Sequence, residues 1–440
     1  MALTEGKVWK KLLLFALPLL AGNVLQQCYI LVDSILVGQY LGKEALAAIS
    51  ASYFIYYFII ALIIGVGSGV SIVISQYCGA KDTVSVQRSF SSFFLFMLVA
   101  GAFISVLGVL LAEPIFRLTQ TPPEVIPQAV AYFRVYIGGS FLFIIFSSLL
   151  SILRGVGDSY HPMLFMFVSM GLNIVLDLLF ILVLDWNIEG VAYATIIAQG
   201  ISMCMALYFV HKHPFLSLHK KDLVFDKALF FQGLKIGIPT SVQHTAIAIG
   251  LISLLSIVNG FGTDTLTAYG AAAKVDSLLS QIVVTVSGAL ATFCAQNIGA
   301  KRMDRVCEAV RLSMILNFFF YLFIMLCVTF FSKEIMQLFV SDPMVVRIGE
   351  DYLFIVLGAF FFAGATNMLN GALRGAGNTL FSMATSLICL WLIRIPLAYF
   401  LGKLYGTSGL WWAISSSLCI GFVATIIYVF CKYKKLLKPV

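Results

Sequence analysis

LRGVGD at Leu153–Asp158 returns as LRGAGN at Leu373–Asn378. The same spacing recurs elsewhere: Gly42 meets Gly262, Leu46 meets Leu266, Gln76 meets Gln296, and Pro123 meets Pro343. The run Gly79-Ala80-Lys81 meets Gly299-Ala300-Lys301. Matches at one spacing over so much of the chain mark an internal duplication, a recurring way of building membrane carriers.

Composition says what each half contains. The 440 residues are 61% hydrophobic and 11% charged, with a mean hydropathy of +1.00. That little charge cannot cover a water-facing surface, so the chain is expected to be an integral membrane protein. Apolar runs of spanning length lie near 12–40, 46–76, 89–112, 130–153, 162–184 and 189–210. Six more follow near 234–258, 266–296, 309–331, 350–373, 381–402 and 408–431. The expected fold is all-α, with twelve transmembrane helices in two six-helix repeats. An N-terminal lobe covers 1–210, a cytoplasmic linker 211–232, and a C-terminal lobe 233–440. Six spans per repeat is an even number, so both halves insert in the same direction. They are expected to relate by a pseudo-two-fold axis along the membrane normal, with a cleft between them.

The first apolar run follows Lys7, Lys10 and Lys11 and has features of a signal peptide. It continues almost to Leu41, however, and reads as a spanning helix bent at Pro18. An amphipathic pattern near Leu223–Lys235 suggests a linker helix on the inner membrane surface. Nineteen of the 28 Lys and Arg fall on one side of the alternating connections and five on the other. Positive-inside then places both termini in the cytoplasm, with a bacterial plasma membrane as the expected location.

Several classes are disfavoured. No basic run is interleaved with aromatics, so nucleic acid is not an expected partner. The nine cysteines form no C-x-x-C pair, which argues against a disulfide framework or a zinc site. Neither H-E-x-x-H nor G-x-S-x-G occurs, and nothing resembles a selectivity filter. No enzyme activity and no cofactor are expected.

The chemistry centres on GLNIVLDLLFI at Gly171–Ile181, where Asn173 and Asp177 lie four apart within an apolar run. At helical spacing they share a face. Carboxylates in membrane helices are costly and mostly functional. Helix rise puts Asp33 about 12 Å, Asp177 about 10 Å and Thr195 about 9 Å below the outer surface, with Asn173 one turn deeper than Asp177. Four oxygen-bearing side chains on three helices thus share one level. Oxygen ligands suit a hard cation such as Na+, and two nearby carboxylates that resist ionising together suit proton exchange.

These features resemble the multidrug and toxic compound extrusion (MATE) transporters over the whole chain. The resemblance rests on Pro18 and Asp33 in QQCYILVDSILVGQYLG, the QYCGA and QNIGA helix ends, the two LRG-x-G turns, and Asn173-x-x-x-Asp177. It implies two lobes forming a V, and export of amphipathic, often cationic compounds driven by inward flow of Na+ or H+. The pattern is similar to the DinF-type branch, whose cation site combines the counterparts of Asp33, Asn173, Asp177 and Thr195, with Pro18 at the helix bend. The NorM-type branch has carboxylates in the C-terminal lobe. Here the seventh helix offers only Gln243 and His244, and Asn378 stands at the end of the second LRG-x-G turn.

Gln26, Gln27 and Tyr29 on the first helix, with Gln243 and His244 on the seventh, are candidate substrate contacts, joined by Asp276. Asp276 and Arg394 are expected at similar depth as a neutralising pair. Gly65 and Gly69 form a GxxxG step expected to allow close helix packing. Expected partners are small amphipathic substrates and membrane lipid, with a monomer sufficient for function. A flippase for lipid-linked precursors is the nearest alternative; an intramembrane aspartyl enzyme is the alternative from another class.

Overall fold

The computed structural model describes residues 3–119, 121–219 and 221–436, and among them it contains helices and no strand. The first repeat holds α1 (Val8–Tyr40), α2 (Gly42–Gly79), α3 (Thr83–Leu118), α4 (Ile126–Gly155), α5 (Tyr160–Leu178) and α6 (Ile188–His211). The second holds α7 (Lys227–Asn259), α8 (Thr263–Gly299), α9 (Met303–Gln337), α10 (Pro343–Gly358), α11 (Phe360–Gly375), α12 (Thr379–Leu387) and α13 (Ile395–Leu436). One π segment, Leu179–Val183, continues α5; another, Ile388–Arg394, joins α12 to α13.

Among the described residues ten helices are long and apolar enough to span a membrane, and α10 with α11, bent by 42°, makes an eleventh span. The tenth of these, Thr379–Cys431, runs for 53 residues. At 1.5 Å per residue it would be about 80 Å long, far more than a bilayer of about 30 Å can hold. Gly406 breaks it with φ 64° and ψ −145°, and the two pieces complete the twelve spans.

The duplication is visible in the backbone. Lys81 and Lys301 both take positive φ, 61° and 57°, as do Gly157 and Gly377, at 90° and 78°. Their hydrogen bonds match as well: Asp158 N–H donates to Leu153 O and Asn378 N–H to Leu373 O, both at 2.9 Å. LRG-x-G therefore closes a helix with a left-handed turn that glycine adopts without steric cost. The glycine inside the motif has a different task. A Cβ on Gly155 would lie 2.8 Å from Ser71 O, and one on Gly375 would lie 2.5 Å from Ala291 O. In both repeats a helix end passes against the neighbouring helix backbone, a contact that small residues permit in lipid.

Two compact units emerge, Leu14–Ser241 and Leu3–Leu13 with Val242–Val440. In the first, Phe90, Phe93, Ile145, Leu149 and Phe230 anchor one apolar cluster, while Phe116, Phe133, Ile137 and Val191 anchor another. Gly65 and Gly69 pack against the start of α7: added Cβ atoms would lie 1.9 Å from Ser241 Oγ and 2.2 Å from Gly233 O. The stretch expected to form a separate surface helix, Leu223–Lys235, is instead irregular at 223–226 and then becomes the start of α7, which runs unbroken from Lys227 to Asn259. Gln87 holds the segment before it, accepting from Ser217 N–H at 2.7 Å and donating to Ser217 O at 2.8 Å. In the second unit the first described residues are anchored too. Arg305 donates to Leu3 O at 3.1 Å and Gly6 O at 2.6 Å. Pro18 and Pro239 each lie inside a continuous helix, at closely corresponding places in the two repeats. Neither can donate to the carbonyl four residues before it.

Candidate functional site

Three of the four expected oxygen-bearing residues form one buried cluster in the first unit. Asp177 is 0% exposed, and Asn173 and Thr195 are 2% exposed. Helical spacing puts Asn173 directly beneath Asp177 on α5, and α6 supplies Thr195 from the facing helix. The Asn173 amide satisfies its neighbours with its nitrogen toward the acid. It donates to Asp177 Oδ2 at 2.9 Å and accepts from the Thr195 backbone N–H at 3.3 Å and hydroxyl at 3.2 Å. Thr195 also has Val191 O as an acceptor at 3.1 Å.

Asp33 reaches the same neighbourhood from α1. It makes no direct hydrogen bond to Asp177, yet the two carboxylates are close enough to interact electrostatically. Asp33 Oδ1 and Asp177 Oδ1 are both enclosed and lack a hydrogen-bond partner among the described residues. Buried polar atoms are overwhelmingly satisfied in native proteins, so two orphaned acidic oxygens within electrostatic reach of each other ask for a guest. A cation supplies the missing charge, and a proton supplies the missing hydrogen bond. Asp33 and Asp177 offer carboxylate oxygens and Thr195 a hydroxyl, and a half-turn of the Asn173 amide, which here aims its nitrogen at Asp177, would add an amide oxygen; that donor set fits Na+ as well as H+.

Tyr29 belongs to this cluster. Its hydroxyl lies 3.3 Å from Thr195 Oγ1, and it sits within electrostatic reach of both acids. Tyr132 and Tyr136 of α4 stack at 5.5 Å, also within reach of Asp33, and Tyr56 of α2 meets Tyr136 edge-on at 4.6 Å. Sequence spacing carries no sign of this aromatic wall, because tyrosines in an apolar run look like packing residues. Behind Asp177, the π segment carries Phe180 onto Trp186, with rings 4.7 Å apart.

The remaining candidates are dispersed. Gln26 and Gln27 are exposed on α1. In the second unit Gln243 donates to Ser386 Oγ at 2.7 Å, and His244 lies within electrostatic reach of Arg374. Asp276 accepts from Ser280 Oγ at 3.3 Å and from Tyr352 Oη at 3.5 Å. Arg394 donates to Ser417 Oγ at 2.8 Å. Asp276 and Arg394 feel each other's charge but form no ion pair among the described residues; hydroxyls satisfy each instead. Asn378 donates to Tyr428 Oη at 2.7 Å. Among the described residues no group of three or more His, Cys, Asp or Glu could hold a metal.

The MatE family profile matches residues 18–179 and again 239–400. The chain belongs to the MatE family. The two matched segments begin at Pro18 and Pro239, in step with the duplication. A curated MatE relative, "Probable multidrug resistance protein YpnP" of Bacillus subtilis, is 32% identical over 97% of this chain and 95% of its own length. "Probable multidrug resistance protein YoeA" of the same organism is 30% identical over 90% and 88%. A crystal structure of MATE in the bent conformation superposes with a TM-score of 0.93 at 22% identity, covering 99% of this chain and 97% of that one. This MatE chain is therefore a multi-pass membrane transporter, not an enzyme.

Proposed function

We propose that this MatE chain exports amphipathic, often cationic compounds by alternating access, driven by inward flow of Na+ or H+ bound at Asp33, Asn173, Asp177 and Thr195. The relatives' names support the export of drugs. The observation that carries the coupling is the pair of enclosed, unpartnered oxygens, Asp33 Oδ1 and Asp177 Oδ1. An empty site leaves two acids facing each other without compensation, and an occupied site relieves them. That difference is what a coupling ion needs in order to shift a conformational equilibrium.

Asp33 lies on α1 above Pro18, where the backbone lacks one hydrogen bond and bends at low cost. Occupancy at Asp33 is thereby linked to the shape of α1, and through it to the substrate-facing wall of the first unit. Both termini face the cytoplasm in this scheme, the membrane is a bacterial plasma membrane, and one chain suffices. Purified protein in liposomes loaded with ethidium tests it. Efflux should follow an imposed sodium gradient or an imposed pH gradient, and the effective gradient names the ion. Dye movement under neither gradient would end the exporter assignment.

A further inference from the structure

The two LRG-x-G arginines count, in sequence, as loop cations on the positive side. The structure places them inside helix ends instead. Arg374 sits in the last turn of α11, and its Nη2 donates to Ser287 Oγ of α8 at 2.9 Å. Ser287 in turn donates to Asn367 O at 2.6 Å, which fixes the hydroxyl. Arg374 Nε is enclosed and has no hydrogen-bond partner among the described residues. Arg154, its mate in the first repeat, has an enclosed, unpartnered Nε as well. There, Gly67 stands at the place that Ser287 holds in the second repeat.

Neither guanidinium has a carboxylate within ion-pair distance among the described residues. Both side chains are half-buried with Nε enclosed, and an enclosed guanidinium N–H without a partner is costly, a cost that a helix C-terminus offsets only in part. The second unit surrounds Arg374 with groups that leave its charge uncompensated. Ser287 is neutral, and His244 of α7, within electrostatic reach, carries no negative charge. The planar fork matches two oxygens of a carboxylate, sulfonate or phosphate.

We propose that Arg374, with Ser287 beside it, binds the anionic group of transported amphiphiles and so adds an anionic substrate class to the cationic one. The proposal takes the export function above as given. Arg374 fixes the guest's charged end, and Ser287 holds the guanidinium in place.

The test is equilibrium binding to the purified full-length protein, read by fluorescence anisotropy, with carboxyfluorescein as the anionic probe and ethidium as the cationic one. Arg374→Gln should weaken carboxyfluorescein binding about tenfold or more, the size of a lost charge-assisted contact, and leave ethidium within about twofold. Arg374→Lys keeps the charge and loses the fork, so its loss should be smaller and equally selective. It also serves as the test variant where Arg374→Gln does not fold. Equal effects on both probes, or no effect on either, would overturn the proposal. The two functional claims separate cleanly. Ethidium efflux without Arg374-dependent carboxyfluorescein binding would leave export standing and remove the anion site. Selective loss of carboxyfluorescein binding without efflux of either dye would do the reverse.

Discussion

Asn173→Leu removes the amide while keeping a branched side chain, and its effect can be worked from the geometry. In the native cluster the amide nitrogen donates to Asp177 Oδ2 at 2.9 Å and the amide oxygen accepts from Thr195. Asp177 Oδ1 already lacks a partner among the described residues, so the leucine variant strips the acid of the hydrogen bond that Asn173 supplies. Thr195 keeps Val191 O as an acceptor at 3.1 Å, which confines the loss to Asp177. A hydrogen bond to a charged group contributes about 1.5–3 kcal/mol. The half-saturating concentration of the driving cation should therefore shift about 10–100-fold, upward for Na+, which loses the amide at its site, and downward for H+, which a carboxylate stripped of that bond holds more tightly. Dye efflux from proteoliposomes, titrated with the effective cation at fixed membrane potential, reads this directly. Half-saturation within about twofold of wild type would refute the idea that Asn173 supports a charged Asp177.

Milder changes at the same cluster should have milder effects. Tyr29→Phe removes the hydroxyl 3.3 Å from Thr195 Oγ1 and should cost about 1 kcal/mol, or about fivefold in cation half-saturation; an unchanged titration would place Tyr29 outside the site. Gly375→Val forces a Cβ 2.5 Å from Ala291 O and should destabilise the second unit by about 1–3 kcal/mol, seen as a lower unfolding temperature in detergent. Asp82 caps α3, accepting from Ser85 N–H at 3.0 Å and Ser85 Oγ at 2.6 Å, and these bonds hold its carboxyl below the usual range. Its contribution is therefore fully present above the ordinary carboxylate value of about 4 and fades as pH falls through the lowered native one. Asp82→Ala should cost about 1 kcal/mol at neutral pH, and the gap from wild type should narrow under acid in pH-scanned thermal unfolding.

The helices and the duplication were legible because membrane solvent forces long apolar runs, and because a turn that needs glycine at fixed places leaves the same letters in both repeats. Asn173, Asp177 and Thr195 could be gathered from helical spacing and depth alone. Depth carries no rotation, which is where sequence spacing reached its limit. Tyr29, read as a candidate substrate contact, also reaches Thr195, while Tyr132 and Tyr136 were hidden among apolar neighbours. Asp276 and Arg394 feel each other's charge without pairing, because Ser280, Tyr352 and Ser417 hold them by hydrogen bonds instead. Arg154 and Arg374 looked like loop residues because glycine turns follow them directly; only packing against α2 and α8 shows that the helix ends are enclosed.

Coupling through Asp177 is the central claim, and Asp177→Asn tests it most directly. Asparagine keeps the shape and the hydrogen-bonding reach but cannot bind a cation by charge or take up and release a proton. In proteoliposomes the variant should lose gradient-driven concentration of ethidium while still allowing the dye to exchange down its own gradient. Uphill transport at the wild-type level would show that the buried acid cluster is structural and that the coupling ion binds elsewhere.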